Sequence, residues 1–212
     1  MIAAALTLIA ITDDLRDGRD GLVARAVAAV RGGATMVQLR LKHTDARTLA
    51  DVARALLAAL PPAVPLIVND RADVALACGA AGVHVGVDDI PVAALRRIVP
   101  DGFVIGVSVG SDEELANAAA ADYAGIGPIY PSPSKLDAGA AIGVDGFAQL
   151  ARRVTCPAVA IGGLSAGTVP AVIAAGARGV AAIGAIFGAA DPEAAARALR
   201  SAIDFAAAQH RS

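Results

Sequence analysis

The sequence predicts an α/β protein folded as one (β/α)8 barrel over residues 1–212, and three observations carry that prediction. Eight short apolar runs alternate with eight helical segments. The runs are continuously apolar rather than alternating, as in parallel strands buried on both faces. The first run ends in Thr12-Asp13-Asp14, where an open dinucleotide-binding sheet would carry a glycine-rich loop.

The first strand is expected over 6–12. It lies in an apolar stretch from Met1 to Thr12 that has no basic residue and is too short to cross a bilayer, so it reads as a buried strand and not a signal peptide. A helix over 21–31 is ended by Gly32-Gly33, and 35–41 is the second strand. Asp45 is placed to cap a helix over 46–60, which Pro61-Pro62 stop. The third strand, 66–69, is followed by a helix over 72–78 with Gly79 at its end. A short fourth strand, 82–86, leads to a helix opened by Pro91 and running to about Val99. After the fifth strand, 103–107, Ser111 and Glu114 have capping-box spacing for the next helix. The sixth strand is 123–127, and a long loop separates it from a helix over 145–154. The seventh strand, 158–161, precedes a helix from Ser165 to Ala175, and the eighth is 180–183. Asp191-Pro192 start a last helix that runs to about Ala208.

Composition removes several classes of function. At 56% apolar residues the chain supports a large core. A net charge of -2 and 3% aromatics argue against a nucleic-acid partner, which would need a basic patch or stacking platforms. Cys78 and Cys156 lack metal-ligand spacing and read as two small buried thiols of a cytoplasmic protein, with no membrane partner. Of the 18 Lys and Arg residues only Lys42 and Lys135 are lysines, and both stand beside unusual motifs.

Chemistry in a barrel sits at the C-terminal ends of the strands. The second strand ends in Gln38, Arg40 and Lys42, spaced by two, so an extended chain points all three to one face. The third ends in Asn69-Asp70, and after the fourth come Asp88-Asp89. Those strands are neighbours, so Asp70 and Asp89 can approach each other, and two carboxylates from adjacent loops suit Mg²⁺. Asp89 also precedes the helix opened by Pro91, where Asp serves as a cap. His84 inside the fourth strand reads as a packed histidine or a substrate contact. Ser108 reads as a binding hydroxyl, because no nucleophile elbow accompanies it.

The stretch from Gly125 to Lys135 turns from an apolar run into a loop rich in Pro and Ser. Ser132, Ser134 and Lys135 offer the hydroxyls, N–H groups and ammonium that a phosphate needs. Gly139 and Gly143 would let this long loop act as a lid. Gly162-Gly163 and Gly184 follow the last two strands, whose loops form the usual phosphate site of such barrels. The mouth is thus expected to hold two anion sites. One is cationic and metal-assisted, with Arg40, Lys42, Lys135, Asp70 and Asp89, and fits a diphosphate. The other is neutral, with Ser132, Ser134, Gly163 and Gly184, and fits a monophosphate. The chemistry these imply is transfer of a group from a diphosphate to a phosphorylated acceptor.

Six segments, in order, resemble the thiamine phosphate synthase family over nearly the whole chain. They are Gln38 to Lys42, Val68 to Arg71, Gly82 to Asp89, Gly106 to Ser108, Asp122 to Lys135, and Ile161 to Gly163. The fifth is the most specific; it carries Ser132 and Ser134 where the family has Thr. The resemblance implies a transferase that joins hydroxymethylpyrimidine diphosphate to thiazole phosphate, through loss of diphosphate from the pyrimidine methylene and capture of the carbocation by the thiazole nitrogen. It implies that Gln38, Arg40, Lys42, Asn69, Ser108 and Lys135 hold the pyrimidine diphosphate. By the same resemblance Asp70 and Asp89 hold Mg²⁺, and Ser132, Ser134, Gly163, Ile183 and Gly184 hold the thiazole phosphate. Lys135, Arg40, Lys42 and Ser108 would be the catalytic set. Leu41, Val87, Gly184 and Ile9 depart from the family pattern, the last where an aromatic residue often lies near the pyrimidine. A related thiazole tautomerase, or a barrel that only binds a phosphorylated ligand, would lack the diphosphate and metal groups.

Overall fold

The structure, a computed structural model, describes residues 2–131 and 139–210. Eight strands among these residues pair in chain order, all parallel, and close into a barrel. They are β1 (Leu8–Ile11), β2 (Met36–Leu39), β3 (Leu66–Asn69), β4 (Gly82–Val85), β5 (Val104–Val109), β6 (Tyr123–Ile126), β7 (Ala158–Ile161) and β8 (Gly179–Ala182). The register sets Ile11 opposite Gln38, Asn69 opposite His84, and Ser108 opposite Gly125, so these residues stand level at one end.

Both faces of each strand are buried, which is why the runs do not alternate. Leu6, Ile9, Ile11, Met36, Ile67, Tyr123, Val159 and Ala181 form the cluster inside the barrel. Residues of opposite phase, such as Leu8, Val37, Val68 and Ile105, pack outward under the helices. Helix α3 (Ala46–Ala59) buries Leu49, Val52, Ala53 and Leu56, an i, i+3, i+4, i+7 stripe, and each Leu or Val there contributes about 1.5–3 kcal/mol. Its cap is the expected one: Asp45 accepts from Thr48 N at 3.0 Å. Helix α9 (Pro192–Gln209) begins the same way, Asp191 accepting from Ala194 N at 3.0 Å, and lies against α2 (Gly18–Arg31) and α7 (Val169–Ala174).

Some elements differ from expectation. The N-terminal stretch is not all strand. Ile2–Ala5 forms a short helix, α1, and Ile2 and Ala5 pack on the interior cluster. Strand β2 ends at Leu39, so Arg40 and Lys42 lie just beyond it. The helix opened by Pro91 shrinks to α5 (Val92–Leu95). Asp112–Ala120 is a 3₁₀ segment with no side-chain bond from Ser111 at its start; Glu114 accepts instead from Gly110 N at 2.7 Å. Helix α7 starts only at Val169, because Thr168 Oγ1 bonds Ser165 N at 2.9 Å and holds 165–168 as a turn. Cys78 and Cys156 are unpaired and only partly buried, rather than core thiols.

Candidate active site

The C-terminal ends of the strands surround a cavity of about 290 Å³. Gln38, Arg40, Lys42, Asn69, Asp70, Asp89, Ser108 and Ile183 all line it, so the structure brings these expected residues together. Ile11 and Ile161 supply apolar wall. Ile9, the departure expected near the pyrimidine, is buried in the interior cluster and does not line the cavity; Ile11, two residues on, does. Leu41 packs outward against the helix-side core, away from Gln38 and Lys42.

Arg40 is held by a residue that the motifs did not single out. Thr12 is fully buried at the end of β1. Its Oγ1 accepts from Arg40 N at 2.8 Å and donates to Arg40 O at 3.0 Å, while Thr12 N donates to Gln38 O at 2.9 Å. The ladder of β1 and β2 thereby continues one residue past the strands, and the backbone under the Arg40 guanidinium is fixed. A lone Thr at a strand end carries no such signal in sequence.

Asp70 adopts φ 64°, a left-handed conformation that Asp tolerates better than most residues. Its N–H donates to His84 O at 2.8 Å, which fixes the turn. Asp89 does not cap α5. Its carboxylate folds back, accepts from Gly86 N at 2.7 Å, and meets Asp70 through a side-chain hydrogen bond. Burial, together with the Asp89 charge and that hydrogen bond, pushes the Asp70 carboxyl up to about 6, against the pull of Lys42 and Arg40. A carboxyl raised in the folded state favours folding when protonated, so its contribution falls as pH rises from 3.8 through about 6. Asp70→Asn, which mimics the protonated form, is therefore expected to raise the thermal midpoint of the metal-free protein near pH 8. With solvent screening of this half-exposed group allowed for, the gain is about 1 kcal/mol, or about 2–4 °C. Scanning calorimetry near pH 4 should show no gain, and equal midpoints at both pH values would contradict the strained pair.

His84 is not isolated. Its Nδ1 lies 3.0 Å from the Tyr123 hydroxyl and its Nε2 3.1 Å from Ser108 Oγ. Tyr123 is wholly inside the barrel, where burial raises its pKa against the opposing influence of the Gln38 side chain. Sequence reasoning missed Tyr123. Asp122 beside it has a structural task away from the mouth: it accepts from Ile105 N at 2.7 Å and pairs with Arg96 at 2.6 Å, anchoring the lower end of β6.

Gly163 and Gly184 stand at the same end of the barrel, after β7 and β8, but do not line this cavity. Gly162 and Gly163 have φ 98° and 64°, and a Cβ on either would fall 2.6 Å from the Cβ of Pro128 or Tyr130. Glycine is needed here for the loop after β6 to approach. Both ends of that loop are stitched down, Tyr130 N to Gly162 O at 3.0 Å and Ile142 N to Pro128 O at 2.9 Å. Ser132, Ser134 and Lys135 lie outside the described residues.

Comparison with known proteins agrees along most of the chain. A family model described as thiamine monophosphate synthase matches residues 8–186. The thiamine-phosphate synthase of Azorhizobium caulinodans is 47% identical over 202 residues, covering 94% of this chain and 95% of its own. That of Roseiflexus sp. is 48% identical over 196 residues, covering 91% and 83%. Among solved structures, thiamine phosphate pyrophosphorylase from Pyrococcus furiosus superposes with a TM-score of 0.86 at 33% identity, covering 97% of this chain and 99% of its own. A 3-hexulose-6-phosphate synthase at 22% identity, TM-score 0.70, shares the fold alone. With a match that runs from the first strand into the short helix after the last, at nearly half identity to the synthases named, the chain belongs to the thiamine monophosphate synthase family, whose members are transferases.

Proposed function

We propose that the cavity binds hydroxymethylpyrimidine diphosphate with its diphosphate between Arg40 and Lys42, and that thiazole phosphate is the acceptor bound at the rim. The observation that supports this most is one small cavity lined by Arg40 and Lys42 and by four carboxylates, the adjoining Asp70 and Asp89 among them, with an apolar wall beside them. Cations at the diphosphate gain strength as charge builds on the leaving oxygen, so they favour the transition state over bound substrate. The bond from the pyrimidine methylene carbon to the bridging oxygen breaks and the electron pair leaves with diphosphate. The thiazole nitrogen then supplies the pair for the new carbon–nitrogen bond, giving thiamine phosphate. Asn69, Gln38 and Ser108 orient the pyrimidine diphosphate, and the isoleucines Ile11, Ile161 and Ile183 exclude water from the reacting carbon. From the motif, Lys135 belongs on the diphosphate, and Ser132 and Ser134, with Gly163 and Gly184, on the acceptor phosphate.

Asp70 and Asp89 fit Mg²⁺. Two carboxylates that share a hydrogen bond and repel each other form a pair that a divalent cation would relieve. Among the described residues no group of three or more His, Cys, Asp or Glu forms a metal cluster; Mg²⁺ needs only one or two carboxylates, with water and phosphate oxygens completing its shell. When bound, the ion would neutralise charge on the departing diphosphate.

The test is product formation from the two substrates, with Mg²⁺ and with EDTA. Thiamine phosphate formed with Mg²⁺, and at least about 100-fold slower with EDTA, is the expected result. Unchanged turnover in EDTA would remove the metal from Asp70 and Asp89. A folded protein that binds thiazole phosphate without making product would favour the tautomerase or the binding-only alternative.

A further inference from the structure

Below its mouth the barrel interior carries, among the described residues, a connected set of polar groups. The Tyr123 hydroxyl meets His84 Nδ1, and His84 Nε2 meets Ser108 Oγ. Gln38, His84 and Ser108 line the cavity, whereas Tyr123 is 1% exposed and does not. Room for the two rings is built into the backbone. A Cβ at Gly106 would fall 2.5 Å from the Tyr123 hydroxyl, and one at Gly125 would fall 3.3 Å from His84 Cε1. The rings are tilted by 40° with centroids 5.4 Å apart, so they meet through their polar edges rather than as a stack.

The direction of the protons decides what this chain does. A neutral imidazole carries one N–H and one bare nitrogen. The Tyr123 hydroxyl is enclosed in the barrel with His84 Nδ1 as its hydrogen-bond partner; a buried O–H that accepted there would leave its own proton without an acceptor, so it donates to Nδ1. The imidazole proton must then sit on Nε2 and point at Ser108 Oγ. A hydroxyl that accepts there turns its own proton toward the cavity, the polarity an anionic ligand needs. The opposite tautomer would make Ser108 donate to His84 and present a lone pair to that ligand. We infer that Tyr123, although out of reach of any ligand, is a positioning residue that fixes the Nε2–H tautomer of His84 and thereby makes Ser108 a hydrogen-bond donor to the substrate. The inference rests on the proposed diphosphate reading for the identity of that substrate.

The tautomer can be read without substrate. In ¹⁵N-histidine-labelled protein, with the His84 signals identified by their loss in His84→Gln, the Nε2-protonated form is expected. An Nδ1-protonated His84 in the unaltered protein would overturn the inference. Tyr123→Phe should populate the other tautomer and lower kcat by about 100-fold, as loss of one oriented donor does. In a Ser108→Ala background the same change should alter kcat by less than about twofold, because a residue acting through Ser108 has nothing left to act on. A full effect of Tyr123→Phe in that background would show a general structural role and sink the idea. Thermal midpoints of each variant report on folding. Should Tyr123→Phe fail to fold, His84→Gln decides: its amide nitrogen can replace the Nε2 donor without help from Tyr123, so kcat should stay within about tenfold, and a loss as large as that of Ser108→Ala counts against the relay. Absence of synthase activity in the unaltered protein would defeat the substrate assignment while leaving the spectral result standing.

Discussion

Arg40→Ala should lower kcat/KM for the pyrimidine diphosphate by about 10²–10³-fold while leaving the fold in place. The loss is expected because the guanidinium faces the cavity that would receive the departing diphosphate, and a planar fork holds two phosphate oxygens at once. The fold should tolerate the change because Thr12 grips Arg40 by its backbone N–H and C=O, which alanine keeps. Arg40→Lys should recover only part of the loss, since an ammonium is a point charge that cannot make the paired contact. Steady-state kinetics with a thermal midpoint for each variant would check this. A loss below tenfold with the fold intact would take Arg40 away from the leaving group.

Gly106→Ala should have the largest effect on stability. The added methyl would overlap the Tyr123 ring at Cζ and reach within 2.5 Å of its hydroxyl, well inside the ~3.5 Å at which carbon atoms pack. The ring cannot swing aside, because it is fully enclosed and its hydroxyl is tied to His84. Overpacking of this kind costs about 1–3 kcal/mol, and a domain of this length then loses about 2–12 °C in midpoint. Tyr123→Val on top of Gly106→Ala should return part of the loss, since it removes the ring that clashes. An unchanged midpoint in thermal unfolding of the single variant would mean that the barrel interior gives way easily, which would also weaken the positioning role of Tyr123.

Much of the fold could be read from sequence because each barrel strand is a short, mainly apolar run, and polar residues near the C-terminal ends of β2, β3 and β5 mark the mouth. The same rule delivered Gln38, Arg40, Asn69, Asp70 and Ser108 to one mouth. What could not be read depends on contacts between strands distant in sequence. Period-two alternation says that His84 and Tyr123 both point inward; it does not say that they meet across Gly106 of the strand between them. Thr12 is invisible for the same reason, since its partner is 28 residues away. The N-terminal stretch and the segment after Ser111 were misjudged on a different ground. Runs made almost wholly of Ala, Ile and Leu, or of Ala after three acids, have no period with which to separate strand, α-helix and 3₁₀ turn.

Seven of the eight strand pairings join consecutive strands; the eighth joins β1 to β8 across almost the whole sequence. Gly179 makes that last contact close enough by presenting no side chain to Leu6 O and Thr7 O, and Val180 N donates to Thr7 O at 3.1 Å. Arg16, just past β1, reaches over to the carbonyl of Phe187, the last residue of the short helix α8 (Gly184–Phe187). Closing the longest loop in the chain carries the largest entropy cost, so this seam belongs to the end of folding. The proposed acceptor-phosphate turn at Gly184 sits on it, whereas Arg40, Asp70 and Asp89 need only the first four strands and their loops. A chain that folds from its first strand would therefore form the proposed metal pair before the proposed acceptor-phosphate turn. The proposed two-substrate site would be complete only when the two ends of the chain have met.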